Sequence, residues 1–381
     1  MIRPKTLGAG FTLIEVLIAI AIIGLLVSLS IPAIQASREV ARRTECSSHL
    51  RQIGLALSLY HDAHHLLPPM VIWHPAGEPL GDGQIPPGVI DRLMRSDGVS
   101  TAEDRTYANW LCMLLPLVEE TALYAQLQTS VPIGHSRNIA FRSKEVRLFK
   151  CPSDAYNSSD NRFQRSVMLG NADEGYARGN YGLNMGTNRS CLMGLYAPWF
   201  TPGSPCKDGY WVDDLNLKSR TKRVWGSGIA GINKSFSLRE FHRGLNQMVA
   251  VDELRAGVNQ ADVRGTWALG FVGAAATAGH GTYTHAGKPN NRSIDSDSIA
   301  NCRQVQAQAG GAELLAEMGI GCTEWRVEGS NFEAGSRSMH PGGVNLLMLG
   351  GSVHFVEDSI DADVWHNLHR RDFAGQIDFA F

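Results

Sequence analysis

From Val16 to Ser37 the chain runs 22 residues without a charged side chain, VLIAIAIIGLLVSLSIPAIQAS. At about 1.5 Å of rise per residue, a helix of that length crosses a hydrocarbon core about 30 Å thick. No later segment resembles it, so the chain carries one membrane span or one apolar region removed on maturation. A cleaved secretory signal fits poorly. The run outlasts the usual apolar region of roughly 7–15 residues, and Glu15 puts a carboxylate where such a signal has no use for one. The remainder reads differently. The 381 residues are 44% hydrophobic and 19% charged with a formal net charge of −2, which excludes a wholly disordered chain and gives no basic signal for nucleic acid. A mean hydropathy of −0.13 excludes a polytopic membrane protein. The length suits one large domain or two ordinary ones.

The upstream edge of the run is more specific. MIRPKTLGAG is short, bears Arg3 and Lys5, and ends at Gly10; Phe11-Thr12-Leu13-Ile14-Glu15 follows, with Pro32 inside the apolar stretch. In these residues the sequence resembles the prepilin class, the type IV pilins and type II secretion pseudopilins. The resemblance implies that a prepilin peptidase cuts the Gly10–Phe11 bond and methylates the Phe11 amine, and that Glu15 is the acidic fifth residue of the mature chain. It divides the chain into a leader (1–10), a transmembrane and assembly helix (11–34), an exported continuation of that helix (35–67) and a loop-rich β body (68–381). The expected location is the inner (cytoplasmic) membrane, single-pass, with the body on the periplasmic or extracytoplasmic side.

Physical chemistry gives these residue types work to do. A carboxylate inserted at the centre of a bilayer costs roughly 2.5–3.5 kcal/mol and normally finds a partner. Glu15 is expected to pair with the Phe11 amine of a neighbouring subunit, setting axial register; a Glu snorkelling to the interface is the plainer alternative. Pro32 removes a backbone donor and is expected to kink the helix. One pattern disagrees: Arg38, Arg42, Arg43 and Arg51 follow the span and outnumber Arg3 and Lys5. The positive-inside rule alone would leave the body in the cytoplasm. The resemblance implies export, and Glu39 and Glu45 lie among those arginines.

Beyond Pro32, Leu50, Ile53, Leu57 and Tyr60 fall on one helical face, and Pro68-Pro69 stops the pattern. One long helix over 11–65 is expected, with its outer half packed on a sheet. His61 and His65 sit at i, i+4, but without a metalloprotease glutamate, and they read as a polar helix end rather than a metal site. The segment TECSSHLRQIGLALSLYHDAHHLLPP narrows the resemblance to the planctomycete-type pilin-like proteins carrying domain of unknown function 1559. Further matches are Phe149-Lys150-Cys151-Pro152-Ser153-Asp154, Asn180-Tyr181-Gly182-Leu183-Asn184, Gly244 to Glu253, and His340-Pro341-Gly342-Gly343 leading into Gly350-Gly351. The family's closing motif is a His, nine residues, then Asp-Gly. Here Gly350 replaces the Asp, which favours a fold signature over a site and makes His340 a loop residue bonded to a neighbouring strand. Cys151, Asp154, Glu253, His340, Gly350 and Gly351 are the family-motif residues.

In the body, NWLCMLLPLVEETALY reads as a short helical pair around Pro116, RLFKCPSD as a strand ending at a turn, and MVAVDE as a strand. VNLLML and SVHFV form a hairpin whose Gly350-Gly351 turn takes positive φ at both positions. The fold class is therefore α+β and pilin-like, with a long N-terminal helix on an antiparallel sheet. Seven cysteines stand at 46, 112, 151, 191, 206, 302 and 322. Export permits disulfides, with 191/206 and 302/322 closing plausible loops, and the odd count leaves one free or paired between chains. Connectivity does not follow from sequence.

Enzyme signatures are weak. Gly226-Ser227-Gly228-Ile229-Ala230-Gly231 matches GxGxxG, with Asp252 at a ribose-binding distance, but the upstream NLKSRTKRVW is too polar for a central parallel strand. Asp154, Asn157 and Asp160 form one acidic loop and Asp295 and Asp297 another; calcium in either is the weaker reading, since neither spacing matches a known cage. No enzyme, metal centre or cofactor is expected. The function read here is a structural pilin-like subunit assembling through its N-terminal helix, with prepilin peptidase, other pilin or pseudopilin subunits and the inner membrane as partners. The alternative makes the body a recognition module for polysaccharide or secreted cargo, with Trp199, Trp211 and Trp225 stacking on sugars.

Overall fold

The computed structural model describes residues 12–73, 106–164, 175–187, 227–231, 234–280, 287–299, 301–323 and 333–371. Gly10, Phe11, Cys191, Cys206, Trp199, Trp211 and Trp225, singled out above, lie outside them.

One helix, α1 (Leu13–His64), runs for 52 residues, about 78 Å at 1.5 Å per residue, and continues through Pro32. Its start is a capping box: Thr12 Oγ1 accepts from the Glu15 amide, and the Glu15 carboxylate accepts from the Thr12 amide and hydroxyl, both at 2.8 Å. His65, in the left-handed region at φ 59°, closes its C-terminus. That turn takes His65 off the face it would have shared with His61.

The two halves of α1 live in different surroundings. Every residue from Thr12 to Arg38 is exposed, and the apolar side chains point outward all round the helix, which suits a lipid or multi-helix environment and no one-sided packing. Farther along, Cys46, His49, Leu50, Ile53, Gly54, Ala56 and Leu57 are buried on one face, with Tyr60 packed at its edge. This is the face the periodicity identified. After the helix, Leu67 and Met70 donate to the carbonyls of Phe236 and Gly231, which draws the Pro-Pro segment into the body.

A two-stranded antiparallel sheet joins β1 (Val71–Trp73) to β2 (Thr106–Asn109). The helical pair around Pro116 follows, as Trp110–Leu114 and the turn Leu115–Val118. The main sheet contains β3 (Tyr181–Asn184), β4 (Val249–Glu253), β5 (Ala276–Thr277), β6 (Gly343–Met348) and β7 (Val353–Glu357), in the order β5-β3-β4-β6-β7. Three pairings are antiparallel, but β3 and β5 run parallel, so the sheet is mixed. Alternation along β6 separates two cores: Leu347 belongs to the cluster containing Leu50 and Ile53 of α1, whereas Val344, Leu346 and Met348 pack with Trp365 and Leu368 of the helix Ala362–Leu368. The sheet thus lies between α1 and the C-terminal helix.

Three local expectations change. RLFKCPSD forms a 3₁₀ turn at Arg147–Phe149, not a strand end. The hairpin turn is longer than two residues: the Met348 amide bonds the Ser352 carbonyl at 2.8 Å, and of the two glycines only Gly351 has positive φ, at 92°. At Gly350 a Cβ would run into the Asn246 side chain, which would have to move aside. The GxGxxG segment opens no helix; Gly231 forms an antiparallel bridge with Lys234 instead.

Gly54 sets how closely α1 approaches β6, since a Cβ on it would lie 2.8 Å from Leu347 Cδ1 and 3.6 Å from the Gly351 Cα. Gly54→Val is expected to destabilise the protein by about 1–3 kcal/mol through overpacking. Gly54→Ala should cost less, because only the end of a leucine must shift. Urea denaturation of the detergent-solubilised variants checks this; a midpoint unchanged in Gly54→Val would contradict the close approach.

Candidate functional site

Four of the six family-motif residues, Cys151, Asp154, Glu253 and His340, converge where α1 enters the body. On the outer half of α1, Glu39 faces the 151–154 turn. Its carboxylate accepts from Arg42 Nε at 2.9 Å and from Ser153 Oγ at 3.0 Å. His340, brought in by the loop ahead of β6, sets Nδ1 2.7 Å from Glu39 Oε1. Its Nε2 lies 3.4 Å from both Glu253 Oε1 on β4 and Cys151 Sγ. Cys151 is bonded to Cys46 on the helix. His340 therefore touches the neighbouring strand, as expected of it, and also the helix and the disulfide.

Each motif supplies a support. Glu253 is buried and accepts from the Asn345 amide at 2.7 Å and side chain at 2.9 Å, which fixes it against β6. Asn180 bonds the Cys151 amide through Oδ1 at 2.8 Å and donates to Asp154 Oδ2 at 2.7 Å. Asp154 also accepts from the amides of Ala256 and Tyr156. The phenol of Tyr181 reaches the Cys46 carbonyl at 3.2 Å, and His49 Nδ1 donates to the Lys150 carbonyl at 2.9 Å. Gly350 and Gly351 stand apart from this network, in the hairpin turn beneath Gly54.

The electrostatics are those of a clamp. Burial alone would lower the His340 imidazole, but hydrogen bonds and charge from Glu253 and Glu39 win and hold it above its ordinary value. The Glu39 carboxyl moves the other way: burial opposes the shift, yet His340, Arg42 and Ser153 hold it below the usual range. Charged, His340 offers both ring N–H groups, one toward the helix and one toward the sheet. Burial pushes the Asp154 carboxyl up and the Tyr181 phenol well up.

The remaining candidates resolve locally. Cys302 is bonded to Cys322, as the loop spacing suggested, and Cys112 is free but buried, its thiol pushed up to about 12 by burial. Asp297 accepts from Arg264 and Arg337 at 2.8 Å, Asp154 from Asn180 and two backbone amides, and Asn157 donates to Asn180, so the buried carboxylates of both acidic loops are engaged by protein groups. His61 Nε2 accepts from the Leu238 amide. A cavity of about 500 Å³ opens beside His340, lined in part by Tyr156, Arg255, Arg292 and Asp358. Sequence reasoning missed Glu39 as a site residue, since nothing local marks a helix glutamate as the partner of a histidine 301 positions later.

His340→Gln should destabilise the protein by about 3 kcal/mol, because it leaves Glu253 buried without its cation. The pH dependence follows from the sign of each shift. The His340 contribution is complete below the ordinary histidine value and fades as pH rises through its raised folded value; the Glu39 contribution fades as pH falls through its lowered one. Thermal melting across pH 4–9 in wild type and His340→Gln checks this (a range chosen around the ordinary values, about 4.3 and 6.5). The wild type should lose its advantage at the alkaline end, and parallel profiles would refute the assignment.

Two comparisons bear on these residues. Residues 35–363 match the family described as "Protein of unknown function (DUF1559)", a span that contains every member of the junction. Residues 8–31 match the prokaryotic N-terminal methylation motif, which marks a prepilin-type, pilin-like protein and implies a substrate of the prepilin peptidase. No curated protein and no solved structure matches the chain. A long apolar N-terminal helix clamped to an α+β body by its own motif residues is thus the form taken here by the DUF1559 family, to which this chain belongs.

Proposed function

We propose that the protein is a structural pilin-like subunit, processed between Gly10 and Phe11, methylated on the Phe11 amine, and assembled through residues 11–34 into a type II secretion or type IV pilus-like filament. The observation that carries this reading is the division of α1: 27 residues from Thr12 to Arg38 are exposed and largely apolar, while the outer half is tied to the body by packing, a disulfide and the His340 clamp. An apolar surface of that size needs lipid or other helices around it. In the isolated subunit the Glu15 carboxylate is occupied by Thr12. In the filament it exchanges that bond for the Phe11 amine of a neighbour, which supplies both charge neutralisation and axial register. The Cys46–Cys151 and Cys302–Cys322 disulfides favour an oxidising compartment for the body, and so support its export.

The reaction at the leader belongs to the peptidase, not to this chain: hydrolysis of the Gly10–Phe11 amide releases the leader and frees the amine that is then methylated. Intact mass spectrometry of the N-terminal peptide from membranes is expected to begin at N-methyl-Phe11; an intact Met1 or a cut near residue 37 would overturn the processing. Glu15→Val should leave cleavage unchanged and reduce filament yield at least tenfold in a shearing assay. Wild-type yield in that variant would refute the register pair.

A further inference from the structure

Strand alternation puts Glu253 on the α1 side of β4 and its neighbour Asp252 on the other. There Asp252 meets two histidines from distant segments. Asp252 Oδ1 lies 2.9 Å from His369 Nε2, just beyond the C-terminal helix, and Oδ2 lies 3.6 Å from His280 Nε2, shortly after β5. All three side chains are completely buried, and one ligand atom from each lies within 4.8 Å of the others. The two imidazoles stack with ring centroids 3.9 Å apart, so both present Nε2 to the same carboxylate.

Two observations exceed what an ordinary buried histidine requires. His369 Nδ1 lies 2.8 Å from the Trp365 carbonyl, which can only accept, so Nδ1 carries a proton. In the neutral ring Nε2 then holds a lone pair, yet it faces a carboxylate oxygen, also an acceptor. Something positive must stand between them, either a second proton or a metal ion. The other observation is His280: both its ring nitrogens are buried, and neither has a hydrogen-bond partner among the described residues. A second proton on His369 repairs the first contact and leaves His280 unsatisfied. A cation shared by all three side chains repairs the first contact and also gives His280 Nε2 a partner, leaving only Nδ1 of that ring without one among the described residues.

The surroundings have the outer arrangement of a metal centre. Metal-bound histidines usually donate their second N–H to a carbonyl or carboxylate, as His369 does, and a metal-bound carboxylate is itself hydrogen-bonded. Thr277 Oγ1 supplies that bond, 2.5 Å from Asp252 Oδ2. Bonds of about 2.0 Å to a tetrahedral ion place its ligand atoms about 3.3 Å apart; here Oδ1 stands 2.9 Å from His369 Nε2 and Oδ2 3.6 Å from His280 Nε2, and one ligand atom from each residue lies within 4.8 Å of the others. The geometry points to a divalent metal site built from Asp252, His280 Nε2 and His369 Nε2, taking an ion of the zinc class. Two imidazoles and one carboxylate suit such a borderline ion and not calcium. Its role is structural, since it joins the central strand β4, the segment after β5 and the end of the C-terminal helix, and an enclosed ion enters as the chain folds.

The test uses full-length protein in detergent, produced with Zn²⁺ in the medium. Metal analysis after dialysis against a weak chelator should find one zinc per chain. A strong chelator should lower the melting temperature, and added Zn²⁺ should restore it. His280→Gln and Asp252→Asn should each weaken zinc binding at least ~100-fold. A variant lacking the exposed His64 and His65 should bind as the wild type does. Substoichiometric zinc in the wild type, or undiminished zinc in His280→Gln, would overturn the site. Should both variants fail to fold, X-ray absorption of the Co²⁺-substituted wild type decides, because a coordination shell without imidazole would equally overturn it.

Discussion

The bridge from Glu39 through His340 to Glu253 is the contact on which the positions of helix and body depend. Apolar packing between α1 and β6 supplies most of the attraction, but it is non-directional, and an amphipathic face can slide by one turn and still bury comparable area. Directional bonds remove that freedom. Glu39, Cys46 and His49 lie along one length of α1 and are fixed to two parts of the body, Glu39 at His340 and the other two at the adjacent Cys151 and Lys150 carbonyl. Arg43 adds its guanidinium over the Phe355 ring at 4.5 Å. Displacement along the helix axis breaks all of these together. On the proposed assembly, with the apolar half held by neighbours, load on the body would pass through this region.

The central strand serves both faces of the sheet. Asp252 and Glu253 are adjacent, buried and carboxylate-bearing, a pairing that would repel strongly on one face of a strand. Alternation sends one toward α1 and the other toward the C-terminal helix, so each meets its own histidine partners. The hydrophobic clusters separate in the same way, Leu347 to one side and Leu346 to the other. Polar knots at the middle of each layer fix which elements pack where, and the greasy residues around them fill the space.

What could be read from the sequence follows from range. The apolar span and the Leu50–Ile53–Leu57 face are local patterns, legible because helix periodicity acts over four residues. The body motifs could be recognised but not located, since the contacts among Cys151, Asn180, Glu253 and His340 close only in the folded chain. The Cys46–Cys151 bond joins positions 105 apart, which no loop-length argument selects from seven cysteines. Likewise Asp252, His280 and His369 carry no spacing signature. The Gly350-Gly351 turn misled for a different reason: only one glycine takes positive φ, and the other sits against the Asn246 side chain.

The arginines after the span bear on the same junction. Counted as isolated charges, Arg38, Arg42, Arg43 and Arg51 oppose export of the body. In the folded protein Arg42 is paired with Glu39 at 2.7 Å and Arg43 rests on Phe355, whereas Arg38 and Arg51 stay exposed. Two of the four therefore belong to the clamp. Their positions are set by what the helix must grip, not by which side of a membrane they mark. Topology is chosen before the clamp forms, however, so folding cannot offset their charge at that moment. On the proposed topology, the segment ahead of the span has to override them. A leader dedicated to recognition and then removed lets orientation be specified independently of charge in the mature chain. The arginines are then free to serve the junction.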